Sequence, residues 1–429
     1  MPLMVGLLAE NLVAAVDTAF LGHVGELELA ASAIGGTFYI VLFVVGMGFG
    51  TGTQILIGRR NGEKNYGKIG GFFENSLYFV WLFSAVIIIF SLFFSKKLLG
   101  FMLSSEDIID AAVRFLNIRV FTLFFSLGCV IMRSFFVGIQ LTKYIGFGAF
   151  IVAATNFVLD YLLIFGKFGF PKMGLEGAAL ASVLAEVAGL AFYAYIIIKK
   201  VDIAKYNMFK FRKPQLQIAS QTMKLSIFTM LQNLLSVSGW FMFFVIIEKT
   251  GEKNLAVSNI IRSYYILMLT HVWAYSATVS TLVSNAMGAN MKHHVYGIIK
   301  RVALFGVLTS IVTFIPTIIS AKGIMLLYTD DMEIVGMGYK ALYIIGIANI
   351  ISSIAWVIFS TISATGNTKI ALFVETSVTV CYLASILFCV SKFPDRIEII
   401  WSSEIIYYVL LGIFSMLYLM TGHWKKKVI

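Results

Sequence analysis

Apolar stretches long enough to cross a lipid bilayer recur along the whole chain. A membrane-spanning helix needs about 20 consecutive apolar residues, and twelve such stretches can be marked in the sequence of 429 residues. They cover residues 2–21, 32–57, 72–95, 111–138, 144–166, 175–198, 222–247, 256–284, 295–320, 335–363, 370–391 and 401–422. Only 13% of the residues are charged, against about 25% in a typical soluble domain. We therefore predict an all-α polytopic membrane protein with twelve transmembrane helices.

The lysine and arginine residues are distributed unequally between the two sets of loops. Eighteen lie in the even-numbered connections and after the last span, whereas nine lie in the odd-numbered connections. Because short loops rich in these residues stay in the cytoplasm, both termini are predicted to be cytoplasmic. The net charge of +11 is explained by this orientation, so it gives no reason to expect binding to nucleic acid.

An internal repeat becomes visible when the chain is shifted by 226 residues. Gly25, Leu29, Ala30, Ser32, Ile34 and Tyr39 then fall on Gly251, Leu255, Ala256, Ser258, Ile260 and Tyr265. An even number of helices in each half makes the two repeats parallel, related by a pseudo-two-fold axis along the membrane normal. We predict two six-helix bundles: an N-terminal lobe at 1–200, a basic and solvated cytoplasmic linker at 201–216, and a C-terminal lobe at 217–429.

Seven acidic residues remain inside the predicted spans. They are Glu10, Asp17, Glu74, Asp160, Glu186, Glu375 and Glu404. A charge at the centre of a transmembrane helix costs about 2.5–3.5 kcal/mol on insertion scales, so such side chains face a protein interior or a water-filled cavity and bind something there. Each acid is therefore a functional candidate, and a structural role is the alternative for Glu10, Glu74 and Glu404.

Asp160 has the most specific surroundings of the seven acids. It lies in TNFVLDYLLIFG, where Asn156 comes four residues earlier and therefore shares its helix face. Asp17 is the second candidate, in AAVDTAFLGHVG of the first span, unless it is a helix-end carboxylate that reaches external water. If the two carboxyl groups met across a cavity, there would be two possibilities. One of the two groups would hold a proton, or a small cation would lie between them with the Asn156 oxygen as a further ligand.

The repeat makes this acidic cluster specific to one half of the chain. With the shift of 226 residues, Asp17, Asn156 and Asp160 fall on Phe243, Tyr382 and Ile386. The fold therefore does not require an acid at this place in the bundle, and Asp160 is better explained by what it binds.

Other polar residues inside the spans give weaker signals. Arg262 and Lys340 are expected to reach the interface or pair with acids, with anion binding as the alternative. We expect Arg262, Glu186 and Glu375 to line a substrate cavity. The sequence contains no Ser-His-Asp set or metal-ligand motif, and its three cysteines show no disulfide spacing. We predict neither enzymatic activity nor a cofactor. The only metal ion that we expect is a sodium ion at the acidic site, if sodium is the coupling ion.

Four segments resemble the multidrug and toxic compound extrusion (MATE) family, in its DinF-like bacterial branch. They read VDTAFLGHVGELELAAS, GTQILIGRRNGEKNYGK, GIQLTKYIGFGAFIVAATNFVLDYLLIFG and GFPKMGLEGAALAS. The resemblance implies a multi-pass protein of the bacterial inner membrane that exports organic cations in exchange for protons or sodium by alternating access. It also implies that Asp17, Asn156 and Asp160 form the coupling site, with Ser182 as the nearest match to a hydroxyl group that often joins it.

In one branch of this family, the coupling ion binds in the C-terminal lobe. The second half of this chain lacks the residues expected of that branch. Acids are expected there on the seventh and tenth helices, whereas the chain reads MLQNLLSVSGW and ANIISSIAWVIF. Coupling is therefore predicted in the N-terminal lobe of a monomer whose partners are a small-molecule substrate and the bilayer. The alternatives are an exporter or flippase of anionic or lipid-linked metabolites, and a membrane-embedded receptor or enzyme.

Overall fold

The computed structural model of the protein describes residues 2–103, 105–210 and 212–427. Every regular element in these ranges is helical. The α-helices are α1 (Pro2–Gly22), α2 (Glu26–Gly62), α3 (Ile69–Met102), α4 (Glu106–Arg119), α5 (Thr122–Gly138), α6 (Lys143–Phe165), α7 (Gly174–Lys200), α8 (Ile203–Tyr206), α9 (Leu216–Glu248), α10 (Glu252–Gly288), α11 (Val295–Leu326), α12 (Met332–Ala364), α13 (Thr368–Lys392), α14 (Ile397–Trp401) and α15 (Ser403–Met420).

Each predicted span corresponds to one helix or to two consecutive helices. Among the described residues, ten helical segments are long and apolar enough to cross a membrane, and α4 with α5 forms an eleventh, broken segment. The first predicted span is covered by α1, which has 21 residues. The predicted all-α polytopic fold with twelve spans is thus confirmed, although helices such as α2 and α10, with 37 residues each, extend well past the hydrocarbon core.

The fourth predicted span, 111–138, is wrong in one respect because it is not a single helix. The chain bends by 45° between α4 and α5. The first turn of α4 is acidic, with Glu106 and Asp107, and Ser105 accepts a hydrogen bond from the backbone N–H of Ile108 as its cap. A polar first turn of this kind is more stable in water than in hydrocarbon. The start of α4 at Glu106 therefore lies before the predicted span, which was marked from apolar residues alone.

A second irregularity lies within α11. Pro316 is inside this helix, and Ser320 four residues later has non-helical backbone angles (φ −158°, ψ 81°). Proline removes one backbone donor and clashes with the preceding turn, which kinks a helix. The Ser320 hydroxyl oxygen then accepts the backbone N–H of Gly323 at 3.0 Å, so the helix restarts with its own cap.

The chain divides into two compact units, residues 1–226 (unit 1) and 227–429 (unit 2). Unit 1 contains α1 to α8 and the start of α9, and unit 2 contains the rest of α9 and α10 to α15. The lobe boundaries predicted at 200 and 217 remain a prediction.

In unit 1, α6 packs between α1 and α7. Two glycines allow the close approach of α6 to α7. A Cβ atom on Gly177 would meet the backbone of Leu163, and one on Gly148 would meet the ring of Tyr193. Small residues at such positions let transmembrane helices approach backbone to backbone. This packing brings the polar face of α6 against α7.

The basic segment after α7 is held against unit 1. The backbone N–H of Lys210 donates to Glu74 Oε1 at 2.9 Å, and that of Gln215 donates to Asn75 Oδ1 at 2.8 Å. Both acceptors lie on α3 and are buried. Tyr206, which belongs to the segment itself, is also buried. The segment is therefore attached to α3 through its backbone, although Lys205, Lys210, Arg212 and Lys213 are exposed. The expectation of a solvated cytoplasmic linker remains a prediction, and Glu74 has the structural role. The Glu10 side chain, predicted inside the first span, lies outside the described residues.

Candidate functional site

The three residues predicted for the acidic site come together in unit 1. Asp17 projects from α1, and Asn156 and Asp160 project from one face of α6. The side chains of Asn156 and Asp160 are 1% and 0% exposed, while Asp17 is half-buried. The four-residue spacing on α6 gives these two side chains a common direction, and the packing of α1 on α6 supplies the second acid.

Asn156 bridges the two carboxyl groups. Its amide nitrogen donates to Asp17 Oδ1 at 2.9 Å and to Asp160 Oδ2 at 3.1 Å, in the orientation that gives both ends of the amide a suitable neighbour. The other end of the amide lies 3.5 Å from the Ser182 hydroxyl oxygen on α7. Ser182 therefore lies next to the site, and 3.5 Å is about the longest distance at which a weak hydrogen bond forms.

One oxygen of Asp160 is left without a partner. Oδ1 is buried and has no hydrogen bond, although Oδ2 has the amide of Asn156. Arg119, at the end of α4, is close enough to act electrostatically on Asp160, but its guanidinium lies over the ring of Tyr39 at 4.8 Å. The described residues contain no salt bridge to Asp160. A buried carboxylate in this position requires a proton or a cation to balance its charge.

The site contains the oxygen atoms that hard monovalent or divalent cations prefer. Two carboxyl groups, an amide and a hydroxyl group meet there, without sulfur or imidazole. In the described part of the chain, this site included, no three His, Cys, Asp or Glu side chains gather as a metal-ligand set. The chemistry available at Asp17, Asn156 and Asp160 is reversible binding of a proton or of a small hard cation.

The residues predicted for a substrate cavity lie in different units. Glu186 is partly buried on α7 of unit 1 and acts electrostatically on Tyr39. Arg262 is on α10 of unit 2, where its guanidinium lies 5.0 Å from the centre of the Phe244 ring and its buried Nε has no hydrogen-bond partner. Glu375 is 0% exposed on α13. Their role in substrate binding remains a prediction.

A second carboxyl cluster, which the sequence did not predict, lies in unit 2. Glu375 Oε1 accepts the hydroxyl groups of Ser236 at 2.7 Å and Tyr407 at 2.6 Å. Glu404 on α15, 2% exposed, accepts the Tyr382 hydroxyl at 2.6 Å. We call these five residues the Glu-Tyr cluster. The shifted positions Phe243, Tyr382 and Ile386 carry no acid, so the Glu-Tyr cluster is formed by acids at other positions of unit 2.

The fold and its buried acids define a polytopic membrane transport protein. The family model MatE matches residues 2–162 and matches again at 229–391, and the chain belongs to this family. The second match begins 227 residues after the first, close to the shift of 226 seen in the sequence.

The chain is also similar to curated transporters over most of its length. It is 24% identical over 422 residues to the "Probable multidrug resistance protein NorM" of Thermotoga maritima, covering 96% of this chain and 89% of that protein. It is 23% identical over 343 residues to the "Multidrug resistance protein NorM" of Vibrio cholerae, covering 80% of this chain and 75% of that protein. The resemblance found from the motifs is thereby confirmed at the level of the family.

Solved structures show the same fold. An aspartate-to-asparagine variant of the MATE transporter VcmN from Vibrio cholerae has a TM-score of 0.91 at 18% identity, covering 99% of this chain and 96% of that one. A MOP superfamily transporter from Pyrococcus furiosus, described as having a binding pocket of reversed polarity, has a TM-score of 0.90 at 17% identity, covering 100% and 95%. The fold is thus shared by transporters with different pockets, so the substrate must be argued from the residues.

Proposed function

We propose that the protein is a secondary active exporter that expels organic cations or drugs in exchange for protons or sodium, with the coupling ion bound at Asp17, Asn156 and Asp160. The observation that carries this proposal is the buried and unpartnered Oδ1 of Asp160, in a site that holds a second carboxyl group. Two carboxyl groups that share one amide donor, without a salt bridge to either group among the described residues, need a cation or a proton between them.

The type of transport is supported by the relatives. The curated proteins similar to this chain are named for multidrug resistance, and we extend that activity to it. The excess of lysine and arginine in alternate loops supports a multi-pass protein of the bacterial plasma membrane with both termini in the cytoplasm. A monomer is sufficient because the proposed ion site is built within one chain.

The exchange works through the packing of α1 on α6. When a proton or a sodium ion binds, it removes the repulsion between Asp17 and Asp160 and favours the arrangement in which the two helices stay close. When it leaves, the repulsion favours an arrangement in which the carboxyl groups are hydrated. Substrate binding and ion binding are then coupled because each biases the same two-state element.

The proposal is tested with Asp160→Asn in sealed proteoliposomes. We expect this substitution to abolish the ion-driven transport of a fluorescent organic cation, because the amide cannot release or take up a proton and is a weaker ligand for sodium. The matched control is Asp110→Asn, which removes an exposed acid that forms a salt bridge with Lys96 at 2.8 Å and should keep full transport. Undiminished transport by Asp160→Asn would contradict the proposal.

The coupling ion is identified in the same vesicles. A proton gradient and a sodium gradient are imposed separately on the unsubstituted protein. Transport driven by one gradient and not by the other assigns the ion. Transport that ignores both gradients would count against secondary active exchange.

A second candidate function is the export of anionic or lipid-linked metabolites. It is favoured by Arg262, whose buried Nε has no partner among the described residues and whose guanidinium lies over an aromatic ring, because a guanidinium group suits the binding of carboxylate and phosphate groups. Lys340, the other candidate, is exposed beside Tyr339. If Arg262→Glu leaves the transport of every anionic probe unchanged, this result counts against the second function. Arg262→Lys serves as the control that keeps the charge.

A further inference from the structure

The Glu-Tyr cluster has no role in the function proposed above, although it buries two carboxyl groups completely. Neither Glu375 nor Glu404 forms a salt bridge within the described residues. A buried carboxylate without a basic partner is costly unless it is protonated or its charge is balanced by a ligand. The cluster therefore requires an explanation beyond packing.

The hydrogen bonds of the cluster are reciprocal between two helices. Tyr407 of α15 donates to Glu375 of α13, and Tyr382 of α13 donates to Glu404 of α15. The rings of Tyr382 and Tyr407 are in contact, with centroids 5.3 Å apart. The two hydrogen-bonded pairs thus contact each other through their aromatic rings, which separate the two carboxyl groups.

The groups that face these acids come from several helices and are hydroxyl or indole donors. Ser236 of α9 donates to Glu375, and Trp240 of α9, Tyr265 of α10 and Tyr408 of α15 lie close to Glu404. Arg262 of α10 lies over the Phe244 ring instead. No lysine, arginine or histidine of the described residues is paired with either acid. A negative charge on Glu375 or Glu404 is therefore not balanced by a basic side chain.

One polar atom of the cluster has no partner among the described residues. Oε2 of Glu375 is buried without a hydrogen bond, and Glu375 is 0% exposed. A carboxyl oxygen accepts hydrogen bonds and, when protonated, donates one. A proton can therefore bind at Oε2 without displacing either hydroxyl group that already donates to Oε1.

The position of the cluster within the repeat is the second argument. With the shift of 226 residues, Tyr382 and Tyr408 fall on Asn156 and Ser182. The helices α9, α13 and α15 are therefore the counterparts of α1, α6 and α7, which hold the acidic site of unit 1. The same place in the repeat is polar in both units, with different residues.

We propose that Glu375 and Glu404 form a second proton-binding site, in which Glu375 is the residue that gains and loses the proton. A proton on Oε2 of Glu375 would have no acceptor in the present packing, so its arrival favours a change in the packing of α9, α13 and α15 that supplies one. The inference does not depend on the ion site of unit 1. It predicts that unit 2 changes its packing when a proton binds.

The test is infrared difference spectroscopy of the purified full-length protein in detergent, between acidic and alkaline pH. A protonated carboxyl group has a C=O stretching band that disappears when the proton leaves. We expect Glu375→Gln to lose one such band and Asp160→Asn to retain it, so that the sites of the two units are assessed separately. An unchanged spectrum of the double variant Glu375→Gln and Glu404→Gln in the carboxyl region would overturn the proposal.

Two further measurements keep the test decisive. Tyr407→Phe retains both acids and removes one donor to Glu375, so it should shift the frequency of the same band even if a glutamine variant folds poorly. Addition of sodium chloride at constant pH should leave the band in place. Loss of the band on addition of sodium would show that the site takes sodium instead, and that result would also overturn the proposal.

Discussion

The polar site of unit 1 and the Glu-Tyr cluster of unit 2 occupy corresponding helices but balance negative charge in different ways. In unit 1, Asp17 and Asp160 share one amide donor, and one oxygen of Asp160 has no partner. In unit 2, each carboxyl group accepts at least one tyrosine hydroxyl at 2.6 Å. The first arrangement places two acids in direct opposition, and the second separates them with aromatic rings.

This difference teaches that the repeat determines where a polar site lies but does not determine which residues form it. Asn156 and Tyr382 correspond under the shift, and each is the hydrogen-bond donor to an acid. The acids themselves do not correspond, because Asp160 falls on Ile386. Exchanging the residues at this last pair of positions is therefore a direct test of the comparison.

The largest effect is expected from Ile386→Asp. Ile386 is 0% exposed in the core of unit 2, and an ionised carboxylate there would have no partner. Breaking the balance of a buried charge costs about 3–5 kcal/mol, so thermal unfolding in detergent at pH 8 should occur at a much lower temperature. The control Ile386→Val should cost about 0.5–1.5 kcal/mol. Equal stability of the two variants would show that unit 2 tolerates an acid where unit 1 has one.

A smaller loss of stability is expected from Glu404→Leu. The buried Tyr382 hydroxyl would lose its acceptor, and an unsatisfied buried polar group costs about 1–3 kcal/mol. Glu404→Gln retains an acceptor oxygen and should be more stable than the leucine variant when both are unfolded thermally at one pH. If the leucine variant is as stable as the glutamine variant, the hydrogen bonds of the cluster do not support unit 2.

The smallest effect on stability is expected from Asp160→Ile. It places in unit 1 the residue type that unit 2 already buries at the corresponding position, and it removes the repulsion with Asp17. The thermal midpoint should stay the same or rise, whereas ion-driven transport should be lost. A large fall in the midpoint would mean that Asp160 supports the fold, as Glu404 does, and the contrast between the units would disappear.

The sequence predicted the helices and the unit 1 site for physical reasons that are local. Apolar runs of about 20 residues indicate membrane spans, and a four-residue spacing places Asn156 and Asp160 on one face. The proximity of Asp17 required two helices that are distant in sequence, and the family resemblance supplied it. Ser182, chosen as the nearest hydroxyl, lies next to the site at 3.5 Å from Asn156.

The Glu-Tyr cluster could not be predicted in the same way. Glu375 and Tyr407 are 32 residues apart in the chain and lie on different helices. Helical periodicity indicates the face on which each residue lies, but it does not identify the neighbour of that face. Glu404 also lies close to the start of a predicted span, where an acid can reach water, and nothing in its local sequence distinguishes the buried case from the exposed one.

The segment after α7 is held by hydrogen bonds from its own backbone amides to two side chains of α3, Glu74 and Asn75. An acceptor on α3 binds any residue that carries a backbone N–H group, so this attachment is insensitive to the side chains at positions 210 and 215. Substitutions at these two positions can therefore alter the surface charge of the segment while both hydrogen bonds stay in place. Proline is the exception at both positions, because it alone lacks the donor.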